Sequence, residues 1–294
     1  MMFFLIKKKS LVVSIDTYNE GVHFLNFKKP DLVIKKIIRS SISDIICKGV
    51  KPKYYFISGS GNKKSFSPSN LKKISKSLKQ EQNRYNIFLC GGDTVHSNKL
   101  SFTVTSVGFS QRIVPRNNAK LNDDIYVTGD LGDSFIGLNI LRNNIFSNKT
   151  LNKYFEGKYY LPDLQLQLSN KLLTFANTSI DISDGLIADL EKLINKQKFS
   201  YKLYLNNVPI CKNLQKLLAQ KKLDKISYIS QGDDYQILFT ANSSKSRIIY
   251  KTAKTLGIKI SKIGKICSNQ QKSQIIDEKG KKIAIKIKGY SHRF

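Results

Sequence analysis

Carboxylates are the residues of this chain whose type and spacing could do chemistry, and they are scarce: 21 Asp and Glu stand against 50 Lys and Arg. Several sit in short polar or glycine-containing strings beside apolar segments: SIDTYNEGVHF, SISD, GGDT, DISDGL and QGDDY. Asp44 lies in a helical pattern between Ile42 and Ile45–Ile46, so part of it faces the interior. There an unpaired carboxylate must protonate, pair with a lysine or ligate a cation. In GGDT (91–94) two glycines let backbone approach a ligand closely, and Asp93 projects from a strand end; a plain turn is the alternative. In DISDGLIADL (181–190), Asp181 ends an extended segment, Ser183 is expected to cap the following helix, and Asp184 to sit in its first turn. A helix N-terminus offers free amides to phosphate, and two carboxylates there can hold cations that share it. Asp189, in the same helix but outside the string, is expected to tolerate replacement by Asn.

Convergence of such groups has a cost that identifies the ligand. Two like charges about 5 Å apart repel by roughly 3 kcal/mol at an effective dielectric of 20. Four or five converging Asp would oppose folding unless divalent cations neutralised them, and all-oxygen donors point to Mg²⁺ rather than zinc. Carboxylate-bound Mg²⁺ commonly shares a polyphosphate, which makes phosphoryl transfer from ATP the emerging chemistry. The usual nucleotide signatures are absent. GSGNKKS (59–65) lacks the spacing and GK[ST] ending of a phosphate loop, and no protein-kinase strings occur.

The elements that must position these groups alternate between strand and helix. Leu11 to Asp16 reads as a strand with Val12, Ser14 and Asp16 on one face. Residues 31–46 read as a helix with isoleucines at three- and four-residue spacing. Residues 54–58 form a strand, and Ser67 and Pro68 start a helix with Leu71, Ile74 and Leu78 as its apolar stripe. Strands at 86–90 and 100–109 flank GGDT. After the polar stretch 115–124 the pattern restarts, with strands at 125–128, 201–205, 235–240, 258–266 and 282–287. Helices are expected from about 133 and at 163–176, 184–196, 212–222 and 244–256. The fold class is therefore α/β (α+β), in two similar-sized α/β halves, 1–118 and 119–294.

Composition narrows the function classes. At 294 residues, 40% hydrophobic and 24% charged, the chain is an ordinary globular protein with a sizeable core. The net charge of +29 admits nucleic acid, an anionic membrane or a polyanionic substrate. The lysines scatter over helix faces (Lys72, Lys73, Lys76, Lys79) and strand exteriors (Lys282, Lys286, Lys288), with no basic stripe interleaved with aromatics. No nucleic-acid or membrane partner is expected. No apolar run reaches the length of a membrane span, and MMFFLIKKKS has the wrong order and length for a secretory signal. Cys47, Cys90, Cys211 and Cys267 have no metal-ligand spacing, which makes a reduced, cytoplasmic protein the default.

Taken in order, seven strings resemble the thiamine-monophosphate kinase family, of the superfamily that includes aminoimidazole ribonucleotide synthetase and selenide-water dikinase. They are DTYNEGVHF, SDIICKGVKP, GGDT, RNNAKLNDDIYVTGDLG, DISDGL, GDDYQILFT and a final aromatic–His string, covering residues 11 to the C-terminus. The resemblance implies Mg-assisted in-line phosphoryl transfer from ATP to thiamine monophosphate, with no protein nucleophile, in a homodimer built through its N-terminal halves. It implies metal ligands at Ser14, Asp16, Asp44, Asp93, Asp181 and Asp184. ATP contacts fall at Gly92, Arg116 and Ser183, and contacts to the acceptor at His23, Asp233 and Tyr290. The sequence departs from the family pattern at Ile15 (Thr), Asn122 (Gly) and Asp233 (Glu), and it lacks a GDDAA-type string that family members carry in some thirty further N-terminal residues. Three other readings stay open: another ATP-using member of the superfamily with a different small acceptor, a degenerate nucleotide-binding homologue, and a basic nucleic-acid-binding protein.

Overall fold

The computed structural model describes residues 10–145, 147–283 and 289–290. The opening MMFFLIKKK, most of the strand expected at 282–287, and His292 lie outside these residues. The chain divides into two compact units, Met1–Ile113 and Val114–Phe294. Val114 and Pro115 join the second unit because the Pro115 carbonyl accepts the Thr178 hydroxyl (2.7 Å) and the Ser179 amide (3.3 Å).

The first unit contains β1 (Ser10–Asn19), α1 (Pro30–Cys47), β2 (Pro52–Gly61), α2 (Pro68–Tyr85), β3 (Phe88–Gly91), β4 (Thr94–His96) and β5 (Ser101–Ser110). Its sheet runs β1-β5-β2-β3, with β4 also alongside β2. The two-residue period of β1 turns Ser14, Asp16 and Tyr18 towards α1 and leaves Leu11, Val13 and Ile15 exposed on the other face. Helix α1 is buried nearly all round, its Ile34, Ile37, Ile38, Ile42 and Ile45 filling the core. Arg39 of α1 meets Glu81 of α2 in a buried two-bond ion pair (2.8 and 3.1 Å). Helix α2 is capped by Ser67 as expected, but its buried stripe is Ser77, Glu81 and Tyr85. Leu71, Ile74 and Leu78 instead line an open groove against β3, because α2 turns its polar positions to the Arg39 side.

The second unit contains β6 (Asp124–Thr128), α3 (Asp133–Leu141), α4 (Lys149–Tyr160), α5 (Ser169–Phe175), β7 (Thr178–Asp181), α6 (Leu186–Ile194) and β8 (Phe199–Tyr204). These are followed by α7 (Lys212–Lys221), α8 (Lys225–Ile229), β9 (Ile237–Ala241), α9 (Ser246–Leu256), β10 (Ile260–Ser268), β11 (Gln274–Ile276) and β12 (Lys282–Ile283). Among the described residues its sheet runs β12-β11-β8-β10-β6-β9-β7. The helix α4, the short α8 and the strand β11 are absent from the sequence reading: α4 is largely polar, and the other two are too short to show a period. Buried Asp123 anchors the entry to this sheet, accepting from Lys120 N (2.9 Å), Thr240 Oγ1 (2.8 Å) and Asn177 Nδ2. Asn122 precedes it at φ 69°, a left-handed conformation that suits Gly and that Asn tolerates, which accommodates that departure from the family pattern. No described helix is long and apolar enough to cross a membrane.

Candidate active site

In the first unit the alternation of β1 brings Ser14 and Asp16 under α1, where Asp44 faces them. The Ser14 hydroxyl donates to Asp44 Oδ2 at 2.7 Å and lies 3.4 Å from Asp16 Oδ2. One hydroxyl proton serves two carboxylates, so their repulsion is only partly relieved. Burial, and then the charge of Asp44, push the Asp16 carboxyl up to about 7, against the hydrogen bonds of Ser41 and Ser14. Ile15, where the family carries Thr, is 67% exposed on the opposite face of β1, so its missing hydroxyl is not part of this group.

His23 lies in the turn after β1. Its Nδ1 accepts the Asn19 amide at 3.0 Å, which leaves Nε2 to carry the proton of the neutral ring, and the ring stands edge-on to Tyr18. In GGDT, a Cβ on Gly92 would stand 1.8 Å from the Ile57 carbonyl oxygen, so strand packing alone demands glycine there. Asp93 is exposed; its Oδ1 accepts the Thr94 amide at 2.7 Å. Asp16 pairs across to Val104, which pairs to Ile57. Asp93 therefore stands about three strand spacings, roughly 14 Å, from Asp16 across the sheet. The first unit joins Ser14, Asp16 and Asp44 and holds Asp93 apart from them.

In the second unit, β7 ends on the buried Asp181, and the loop DISDG is zipped to the loop QGDDY. Ile182 N donates to Gln236 O (2.8 Å), Tyr235 N to Ile182 O (2.8 Å) and Asp233 N to Ser183 O (2.9 Å). A Cβ on Gly232 (φ 81°) would stand 2.1 Å from Ser183 O, and one on Gly185 (φ 119°) 2.2 Å from Ser230 O. The glycines of the two strings thus serve each other. Asp233 itself takes φ 63° and accepts the Tyr235 hydroxyl at 2.9 Å. The Tyr290 amide donates to Asp184 O at 2.9 Å, so Ser183, Asp184, Asp233 and Tyr290 share one neighbourhood. Arg116 does not join them. Its neighbour Asn117 donates to Leu193 O at the far end of α6, about 13 Å along the helix from Asp184.

The expected capping is corrected. Helix α6 begins after Gly185, with no side-chain cap from Ser183, and Asp184 precedes it. The amides of Asp184 and Gly185 point instead to Oδ2 of Asp189, at 2.9 and 3.0 Å. Asp189 is fully buried and bonded to this turn, unlike the unconstrained position expected from the sequence; burial, offset by Lys192, holds its carboxyl up at about 6. Its sequence signal is an acidic residue four positions after the glycine, close to the reciprocal capping pattern. Asp234, the second Asp of QGDDY, is another carboxylate whose role only the fold shows. It is buried, pushed well above the ordinary carboxylate range by that burial, and accepts the Gly132 amide at 2.8 Å at the start of α3.

The donor set suits a hard divalent cation. Ser14, Asp16 and Asp44 offer only oxygen, and the raised Asp16 is a group that a cation would return to its charged form. At Asp184 an ammonium already fills that role: Lys192 Nζ is paired to its Oδ2.

The protein-family model described as AIR synthase related protein, N-terminal domain, matches residues 3–110. The thiamine-monophosphate kinase of Buchnera aphidicola subsp. Acyrthosiphon pisum is 34% identical over 97% of this chain and 88% of its own. The chain belongs to the thiamine-monophosphate kinase family. The Aquifex aeolicus thiamine-monophosphate kinase is 30% identical over 79% of this chain and 76% of its own. Among solved thiamine-monophosphate kinase structures, that of the Aquifex aeolicus enzyme superposes with a TM-score of 0.82 at 27% identity, covering 95% of this chain and 91% of the other. AaThiL complexed with AMPPCP and TMP gives 0.85 at 26%, covering 99% and 89%. The hydrogenase maturation protein HypE of E. coli, at 15% identity and TM-score 0.74 over 95% and 85%, shares the fold.

Proposed function

We propose that this chain transfers the γ-phosphoryl group of ATP to the phosphate of thiamine monophosphate, giving thiamine diphosphate and ADP. The observation that carries this reading is the Ser14–Asp16–Asp44 group, an all-oxygen, partly desolvated pair of carboxylates in a chain of the thiamine-monophosphate kinase family. Both substrates are anions whose phosphates must approach each other, so positioning and charge neutralisation are the work required, and no protein nucleophile is needed.

Ser14, Asp16 and Asp44 in one unit, Asp181 and Asp184 in the other, and exposed Asp93 are the groups that would hold Mg²⁺. When bound, it would neutralise phosphate oxygens and polarise the transferring group. His23 would present Nε2–H to an anionic oxygen of the acceptor, supported by the acceptor role of its Nδ1. Gly92 and Ser183 would meet ATP. The Ser183 carbonyl accepts Asp233 N, and its hydroxyl is the side-chain group it would offer to ATP. Arg116 is exposed at the far end of α6, and an ATP contact there would lie away from the DISDG turn. Asp233 and Tyr290, both beside the DISDG turn, would bound the acceptor. The net charge of +29 favours capture of both polyanions.

The functional unit we propose is a homodimer formed through the first unit, Met1–Ile113 rather than the 1–118 expected from the sequence, with nucleotide strings concentrated in the second. Its support is the contiguous exposed apolar face of the first sheet: Leu11, Val13, Ile15, Phe56, Phe88 and Val95. A reduced, cytoplasmic setting is supported by four free cysteines, one of them exposed. The deciding experiment is turnover of the purified chain with ATP, Mg²⁺ and thiamine monophosphate, with products separated by ion exchange. Stoichiometric thiamine diphosphate and ADP is expected. ATP binding without thiamine diphosphate formation would favour a degenerate homologue, and turnover with another small acceptor alone would favour a different member of the superfamily.

A further inference from the structure

Lys192 lies three residues beyond Asp189 on α6, and its ammonium reaches both Asp189 and Asp184 of the turn that precedes the helix. We propose that Lys192 is the cation Asp184 holds until a divalent metal displaces it, so that this lysine sets the metal concentration at which Asp184 is filled. The inference rests on the reading of Asp184 as a metal ligand. Its basis is an asymmetry between the two carboxylates that share the ammonium. Asp189 is immobile: its side chain is 1% exposed, one oxygen takes two backbone amides and the other lies 3.2 Å from Lys192 Nζ. Asp184 is 31% exposed, and its second partner in the pair, the lysine, is 38% exposed on a flexible stem. When Asp184 turns to a metal, the ammonium keeps Asp189. The buried anion is never left uncompensated, and only a partly exposed ion pair is given up.

Mn²⁺ binding to the full chain without nucleotide, followed by electron paramagnetic resonance, tests this directly. The relevant site is the one that Asp184→Asn removes from the wild-type isotherm. In Lys192→Met its dissociation constant is expected to fall about three- to tenfold, the range that a partly exposed pair can supply. Lys192→Arg, which keeps the charge, is expected to stay close to wild type. Should Lys192→Met fail to fold, the ammonium ¹H–¹⁵N resonance of Lys192 in the wild-type chain decides, and it is expected to shift as Mg²⁺ saturates. An unchanged or weaker Mn²⁺ site in folded Lys192→Met, or a resonance indifferent to Mg²⁺, overturns the proposal while leaving Asp184 as a ligand. If Asp184→Asn leaves the wild-type isotherm intact, the proposal and the metal reading of this turn both fall.

Discussion

Asp16 links structure to pH. Its folded pKa of about 7 lies above the 3.8 of an unperturbed carboxyl, so the folded chain binds a proton that the unfolded chain has lost. The contribution to stability is full below about pH 4 and is lost as pH rises through 7. In EDTA, the urea midpoint should fall between pH 4 and 7, and Asp16→Asn should flatten part of that fall. A midpoint with the same slope in the variant would remove Asp16 as the cause. Asp93→Asn and Asp184→Asn should each slow phosphoryl transfer at least tenfold, about 1.4 kcal/mol of barrier. Their stabilities should diverge. Exposed Asp93 loses nothing structural, whereas Asp184 gives up its pair with Lys192, worth up to about 1 kcal/mol at this exposure. Wild-type turnover in both variants would reduce these carboxylates to structural roles. Asp189→Asn places an NH₂ among groups that all donate, and should cost about 1–3 kcal/mol in chemical denaturation.

At the scale of elements, the site of the second unit is two loops pressed backbone to backbone. Gly232 has both reasons to be glycine: a positive φ, and a Ser183 carbonyl where a Cβ would stand. Gly232→Ala should lower stability by more than about 1 kcal/mol and raise KM for thiamine monophosphate, because Asp233 and Ser183 move with the loop. Unchanged KM in a destabilised variant would separate the loop contact from the acceptor site. In the first unit the corresponding dependence is on Gly92, whose contact with Ile57 fixes where Asp93 leaves the sheet.

For the whole molecule, the two faces of the first sheet make opposite demands. One is buried under α1; the other exposes Leu11, Val13 and Ile15 in a row, a surface that a monomer would leave in water. Light scattering should report a dimer at micromolar concentration, and Ile15→Lys should shift it to monomer with the far-ultraviolet circular dichroism unchanged. A wild-type monomer would count against the assembly. Among the described residues the positive charge is dispersed: lysines stand exposed on α2, α7 and α9 alike.

The sequence by itself determined whatever repeats with a local period or depends on one residue's backbone preference. The alternation of β1 already put Ser14 and Asp16 on one face, the isoleucine spacing defined α1, and Ser67–Pro68 marked the start of α2. The seven ordered strings were enough for the family. Tertiary structure alone decided the partners. Ser14 bonds an Asp thirty residues away, and α2 buries Glu81 because Arg39 waits for it. Asp189, not Ser183, takes the amides before α6, since two donors already held at a turn favour a buried carboxylate that can reach both. Asp93 stays across the sheet from Asp16, and Arg116 leaves the chain at the wrong end of α6 to join Asp184. Periodicity tells a side chain which face to take; which atom it meets there depends on chain brought in from far along the sequence, and hydrogen-bond geometry selects among acceptors only once that chain is in place.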